Sequence, residues 1–359
     1  MKQCLLIEML ITPEKMNSLS IAQWDLLVRQ ARTANLMGRL YVLLCETGIL
    51  GHLPDNIQKH FISEKNYLDA QTSSVLWEIE NIKKALRIID TPVILLKGAA
   101  YLKSNLDVSK GRIFNDIDIL VTQVSIENTE AALKQHGWLS THLDEYDQKY
   151  YRKWMHEIPP LRHLRRKTVL DVHHNILPRT TKYTPDSAKL IEASVPLDDI
   201  GKLRALSDTD MFIHSATHLF FEGEFSYGLR DLVDLSLLSG HQVNSERYWE
   251  NLLVRARELG LEWPVHYAII CLENTLKIQV PEGIQQKLKK NILSKIRRKF
   301  IFWLYSVMFE SVHYSCKSVW TLTALRLLYI RGHWLKMPLV LLLPHLVRKA
   351  IKKDSTTEL

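Results

Sequence analysis

The sequence predicts an α+β protein in which helices lead into a mixed β-sheet and a second helical half follows it. Three observations carry that expectation. Apolar residues recur every three or four positions over residues 17–90 and again from residue 207 nearly to the end, the period of amphipathic helices. Between those stretches, short β-like runs alternate with helical ones. The composition, 46% hydrophobic and 24% charged over 359 residues, suits a chain with sizeable cores and argues against wholesale disorder.

Taken in order, Ser18 or Ser20 offers a cap for the run IAQWDLLVRQARTANLMGRLYVLLCETG, and Gly48 supplies its end. Pro54 and Asp55 introduce a longer helix over roughly 55–89, uninterrupted by Gly or Pro. The pattern changes at Thr91-Pro92. VILLK (93–97) reads as a short buried strand punctuated by Gly98, and AAYLKS restarts a helical period. RIFNDIDILVT (112–122) alternates over its second half, as a strand with one functional or wet face does. Residues 125–138 form a helix ended by Gly137. Residues 146–158 and 168–175 have strand character, separated by Pro159-Pro160 and a basic loop. The stretch 91–178 therefore reads β-α-β-α-β-β, a mixed sheet with helices packed on it. Polar loops follow Pro178, and SDTDMFIHSATHLFF (207–221) opens the second helical half. The natural divisions are a helical segment 1–90, a core 91–200 and a helical region 201–359.

The four cysteines lack CxxC spacing and read as isolated reduced thiols, which suggests a cytoplasmic protein. The apolar run at the N-terminus is broken by Glu8 and makes a poor signal peptide. The net charge of +8 is uneven: residues 281–359 carry 15 Lys/Arg against 4 Asp/Glu, leaving −3 for the first 280. An anionic partner, whether RNA or a membrane surface contacted peripherally, would be drawn to that C-terminal part. Two apolar runs there, 300–309 and 337–347, are about half the ~20 residues needed to span a bilayer and read as buried helix segments.

The chemistry concentrates at Asp116-Ile117-Asp118. Residues i and i+2 of a strand point the same way, so both carboxylates share one face while Ile117 and Ile119 share the other. Two close carboxylates need a counter-charge, and Mg²⁺ (or Mn²⁺) with its oxygen shell accepts carboxylates and phosphate oxygens together. A lone DxD is weak, and its surroundings strengthen it. Lys97-Gly98 closes one strand and opens a helix, where phosphates are favoured. Arg112, four residues before Asp116, has a planar donor fork suited to a triphosphate or to an ion pair. Asp171 lies on a later strand with His173 on the same face.

The order strand, Lys-Gly, helix, Arg-x-x-x-Asp-x-Asp, later Asp-x-His resembles the nucleotidyltransferase superfamily of DNA polymerase β. LLKGAAYL, RIFNDIDILV, HEIPP, LDVHHNILP and HLFFEGEFSYGLRDLVDLSLL look more closely like the uncharacterised bacterial nucleotidyltransferase family, over about 90–240. The resemblance implies a nucleotidyltransferase-fold core and metal-dependent transfer of a nucleoside monophosphate from a nucleoside triphosphate to a hydroxyl acceptor. Asp116, Asp118 and Asp171 match its metal carboxylates, and Gly98 its turn glycine. Lys-Gly-Ala stands where better-known members have Gly-Ser or Gly-Gly, so either Lys97 or the Ala99 backbone N–H takes the serine's place at the phosphate or the triphosphate is held differently. His173 is expected to steer a carboxylate or substrate rather than bind a hard ion. The acceptor, whether small molecule, protein or RNA end, is not encoded in any motif; no segment reads as a known RNA-binding motif. The alternative is a catalytically inactive nucleotide-binding or scaffold module of a biosynthetic or toxin–antitoxin system.

Other residues carry weaker signals. His156-Glu157 either lines the cleft or makes a structural hydrogen bond. His214 and His218, at i and i+4, lack the Glu of HExxH and read as core histidines. Arg230, Asp231 and Asp234 suggest an intrahelical or interdomain ion pair.

Overall fold

The structure is a computed structural model describing residues 4–141, 144–223, 225–290 and 295–338. Four helices lead: α1 (Leu5–Ile11), α2 (Ile21–Thr33), α3 (Met37–Glu46) and α4 (Asp55–Ala85). Ser20 caps α2 in a reciprocal capping box with Gln23, which satisfies two otherwise orphaned N–H groups. The single helix expected over 20–48 breaks at Asn35, whose positive φ of 56° closes α2 and redirects the chain into α3. The 31 residues of α4 form one helix, which packs against α3.

The core alternates strands and helices: β1 (Val93–Leu96), α5 (Lys97–Lys103), β2 (Ile117–Leu120), α6 (Ile126–Gln135), β3 (Trp138–Ser140), α7 (Glu145–Trp154), β4 (Leu161–His163), β5 (Val169–His173), α8 (Ser187–Glu192), β6 (Val195–Pro196) and β7 (Leu203–Ala205). They form one seven-stranded mixed sheet in the order β3-β4-β5-β2-β1-β7-β6. The α+β expectation holds. β2 lies inside the sheet, antiparallel to β1 and parallel to β5, and the register sets Asp118 beside Asp171.

Residues 146–158 differ from expectation. Their aromatic content suggested a strand, but most of the segment is α7. Asp144 accepts from the Tyr146 and Asp147 backbone N–H groups, and acids at the helix start with Arg152 and Lys153 at its end match the helix dipole. Only the tail is extended: the Ile158 N–H donates to Val172 O and the His174 N–H to His156 O, laying His156-Glu157 antiparallel to the end of β5. Strands β3, β6 and β7 have two or three residues each and lie where loops or helix ends were expected.

The helical half contains α9 (Asp208–Phe221), α10 (Gly228–Ser239), α11 (Glu246–Glu258), α12 (Glu262–Thr275), α13 (Glu282–Lys290), α14 (Lys295–Glu310) and α15 (Thr321–Lys336). Ser207 caps α9, and buried Asp210 in its first turn receives the Arg255 guanidinium through two bonds of 2.8 and 2.9 Å. The apolar run 300–309 falls on α14, where Leu304, Tyr305 and Phe309 are buried. Most of 337–347 lies outside the described residues. No helix among those described is long and apolar enough to cross a membrane.

One hydrophobic cluster runs through the lead, the sheet and the second helical half. A buried salt bridge ties the lead to the sheet: Arg166, in the β4–β5 turn, grips Glu78 of α4 at 2.7 and 2.8 Å. The same guanidinium stacks 4.6 Å from the Trp138 ring.

Candidate active site

Ile117 and Ile119 of β2 pack into the core, which turns Asp118 toward the opposite face, buried at 5% exposure. Asp116 precedes the strand and is exposed. Asp171 pairs with Asp118 across β2 and β5. Asp118 and Asp171 are thus set by two parallel neighbouring strands, with Asp116 just before the first of them. Asp171 Oδ1 is buried and has no hydrogen-bond partner.

Lys97 supplies the counter-charge. Its Nζ lies 3.5 Å from Asp118 Oδ1, and it feels Asp118, Asp116, Glu157 and Asp171 together. Desolvation works against the ammonium, but those acids prevail and hold its pKa above the ordinary lysine value. Lys97 also adopts a positive φ of 43°, uncommon for a residue with a Cβ, at the junction of β1 and α5.

The carboxylates are driven apart electrostatically. Burial disfavours ionised Asp118, yet Lys97 and a hydrogen bond from His173 outweigh that and depress its pKa. Asp171 is only partly buried and its Oδ1 makes no hydrogen bond; desolvation, then Asp118 and Glu157, push it up to about 7 against the opposing charge of His173. Asp116 is raised by partial desolvation and by Asp118. Such divergence between neighbouring acids is a mark of functional sites.

His173 Nε2 lies 3.0 Å from Asp118 Oδ1, and its Nδ1 lies 3.5 Å from Glu157 Oε2. Burial opposes its protonation, but Asp118 and Glu157 raise its pKa. His214 and His218 of α9 face the same cluster. Burial, then Lys97, lowers His214 to about 3; Lys97, then burial, lowers His218. Both are neutral near neutral pH.

A cleft of about 140 Å³ opens beside the acids, between the α5–β2 region and helices α9 and α10. Lys97, Arg112, Asp116, His218, Tyr227 and Arg230 are among its lining residues. Arg112 is committed to Asp234, with Nε 2.9 Å from Oδ2, and Arg230 pairs with Asp231. Gly98 and Ala99 are buried in the first turn of α5. Gly98 is not itself in the left-handed region; its role is space, because a Cβ there would lie 2.3 Å from Arg112 Nη1 and 2.7 Å from Phe114 Cδ1. A larger cavity, about 1130 Å³ and lined by Trp263, Tyr267, Leu304 and Arg331 among others, shares no lining residue with this cleft.

A family model described as uncharacterised nucleotidyltransferase matches residues 20–277. The chain belongs to the uncharacterised nucleotidyltransferase family. The match runs from the capped start of α2 to just past α12, so it takes in most of the helical lead, the whole sheet and the cleft. Membership makes this a transferase-type chain of general nucleotidyl-transfer character, with a nucleoside triphosphate as the implied substrate. No curated protein matches the chain.

The site of this nucleotidyltransferase-family chain also holds residues that sequence reasoning undervalued. Glu157, for which the sequence allows either a cleft role or a structural one, enters the electrostatics of Lys97, Asp171 and His173. The signal is its place in HEIPP, which a single strand over 146–158 would obscure. Asp116, Asp118 and Asp171 are oxygen donors of the kind Mg²⁺ takes, and one buried oxygen lacks a partner, but among the described residues their ligand atoms do not converge into a preformed cation site, and Lys97 already stands beside Asp118.

Proposed function

We propose that this protein transfers a nucleoside monophosphate from a nucleoside triphosphate to a hydroxyl acceptor, using Mg²⁺ or Mn²⁺ held by Asp116, Asp118 and Asp171. The observation that carries the reading is the pairing of Asp118 with Asp171 beside Lys97, next to a cleft with two further arginines. When bound, the metal supplies charge neutralisation at the reacting phosphate and leaving group. Lys97 attracts the phosphates, and Arg230, paired with Asp231, adds to the positive field beside it. Arg112, fixed by Asp234, adds field rather than a free donor fork. The acceptor oxygen bonds to the α-phosphorus as the bond to pyrophosphate breaks, and the acceptor's proton passes to the Asp171 carboxylate.

Thermal shift with each nucleoside triphosphate, with and without Mg²⁺, tests the reading. Metal-dependent stabilisation that disappears in Asp116→Asn supports it; no shift with any triphosphate removes it. Transfer of label from a nucleoside triphosphate to an acceptor in cell extract should stop in the Asp116→Asn, Asp118→Asn double variant. A second reading, nucleotide binding without turnover, draws on Lys97 as a built-in counter-ion 3.5 Å from Asp118. It is distinguished by stabilisation that needs no Mg²⁺ and by absent transfer.

A further inference from the structure

His173 stands between two groups of ligands. Its Nε2 points at Asp118, and a carboxylate can only accept, so the ring hydrogen belongs on Nε2. In the neutral ring, the form that binds a metal, Nδ1 is then a bare lone pair, and in this structure it is buried with no hydrogen-bond partner. What it faces is another acceptor, Glu157 Oε2 at 3.5 Å. The His156 ring lies 5.2 Å from that of His173, and its own Nδ1 is likewise buried and unpartnered. One ligand atom from each of His156, Glu157 and His173 falls within 4.8 Å of the others.

Buried polar atoms without partners are rare and call for a missing partner. A proton on His173 Nδ1 would serve Glu157 and leave His156 unserved. A cation serves all three. The framework is rigid, because backbone bonds between Ile158 and Val172 and between His174 and His156 pin the two segments together.

We propose that His156, Glu157 and His173 form a second cation site, for a borderline divalent metal such as Zn²⁺. Two imidazoles and one carboxylate suit Zn²⁺ and its neighbours, whereas hard Mg²⁺ takes oxygens. Asp118 then acts as the carboxylate that orients a metal-bound imidazole through its far nitrogen, the usual arrangement behind metal-ligating histidines. The site differs in donor chemistry from the oxygen set of Asp116, Asp118 and Asp171, and His173 physically connects the two.

The test uses the full chain stripped with chelator. Titration with Co²⁺ should give visible bands of a nitrogen-ligated ion, and Zn²⁺ should displace one Co²⁺ per chain. His156→Gln and Glu157→Gln should each weaken Zn²⁺ at least about 10-fold, and Asp118→Asn by about 10–100-fold. Asp116→Asn should retain Zn²⁺ while losing Mg²⁺-dependent nucleotide stabilisation, which separates this site from the proposed reaction centre. The proposal is overturned if the unaltered chain binds no Co²⁺, if the spectrum shows oxygen ligation alone, or if folded His156→Gln and Glu157→Gln bind Zn²⁺ as tightly as the unaltered chain. The spectral criterion on the unaltered chain stands even where a variant fails to fold.

Discussion

Arg112 Nε lies 2.9 Å from Asp234 Oδ2, joining the loop before β2 to helix α10 across 122 residues of sequence. Both side chains are largely buried, at 13% and 8% exposure, and the guanidinium also sits 5.7 Å from the Tyr101 and Phe114 rings. A residue suited on paper to a phosphate is thus a bracket between the sheet and the second helical half.

Breaking a buried pair from one side strands the other charge. Asp234→Ala is expected to cost about 3–5 kcal/mol of stability, measured by denaturant unfolding. A loss under about 1 kcal/mol would mean that the aromatic rings and solvent suffice to hold Arg112.

Gly98→Ala places a methyl where the Arg112 guanidinium and the Phe114 ring now pack. Overpacking of this kind costs about 1–3 kcal/mol. The melting temperature should fall, and Arg112→Ala in the Gly98→Ala background should cost less than Arg112→Ala alone, since the clash is relieved. Additive losses would count against the contact.

Lys97→Met removes the ammonium that balances Asp118. The lysine is part-exposed, so the expected loss in chelator is about 2 kcal/mol, below that of a fully buried pair. Under the proposed metal site, saturating Mg²⁺ should narrow the difference, because the ion replaces the missing positive charge. An equal loss with and without Mg²⁺ would argue against a metal at these carboxylates.

Asp171 titrates near 7 when folded, above the ordinary carboxylate value of 3.8. Between those values the folded chain binds more protons than the unfolded one, so this group's contribution falls as pH rises from about 4 to 7. Asp171→Asn should flatten that part of the profile of melting temperature against pH. Asp118 acts oppositely, but its depressed pKa confines its effect to more acidic pH. If Asp171 helps hold a metal, stabilisation by Mg²⁺ should grow through the same window, since the carboxylate must ionise to bind.

The α+β plan was legible because helical and strand periods differ sharply on either side of Thr91 and Asp208. The small strands were not: β6, with two residues, cannot display an alternation, and its pairing with β7 depends on contacts outside its own sequence. Segment 146–158 was misread because tyrosine and tryptophan favour strands, while the Asp144 cap and the charge order of α7 decided the outcome. At the site, period two applies to Asp171 and His173 within β5, whereas Asp116 falls just outside β2 and is exposed while Asp118 is buried. Sequence could not supply the register that sets Asp118 opposite Asp171, nor the 122-residue reach from Arg112 to Asp234. Glu157 reaches the site through an antiparallel bridge to His173 at the end of β5, a long-range pairing its local sequence does not encode.

The grip of Arg166 on Glu78 has a consequence beyond stability. It anchors the turn that delivers β5, and strand side chains alternate faces, so a slip of one residue in β5 would present Leu170 or Val172 where Asp171 now stands. Helix α4 contributes no side chain to the acidic cleft, yet it works as a jig for the strand that does. Changes of loop length between β4 and β5 should therefore be tolerated far less than their distance from the acids suggests, and the lead helices belong to the working unit as much as the sheet.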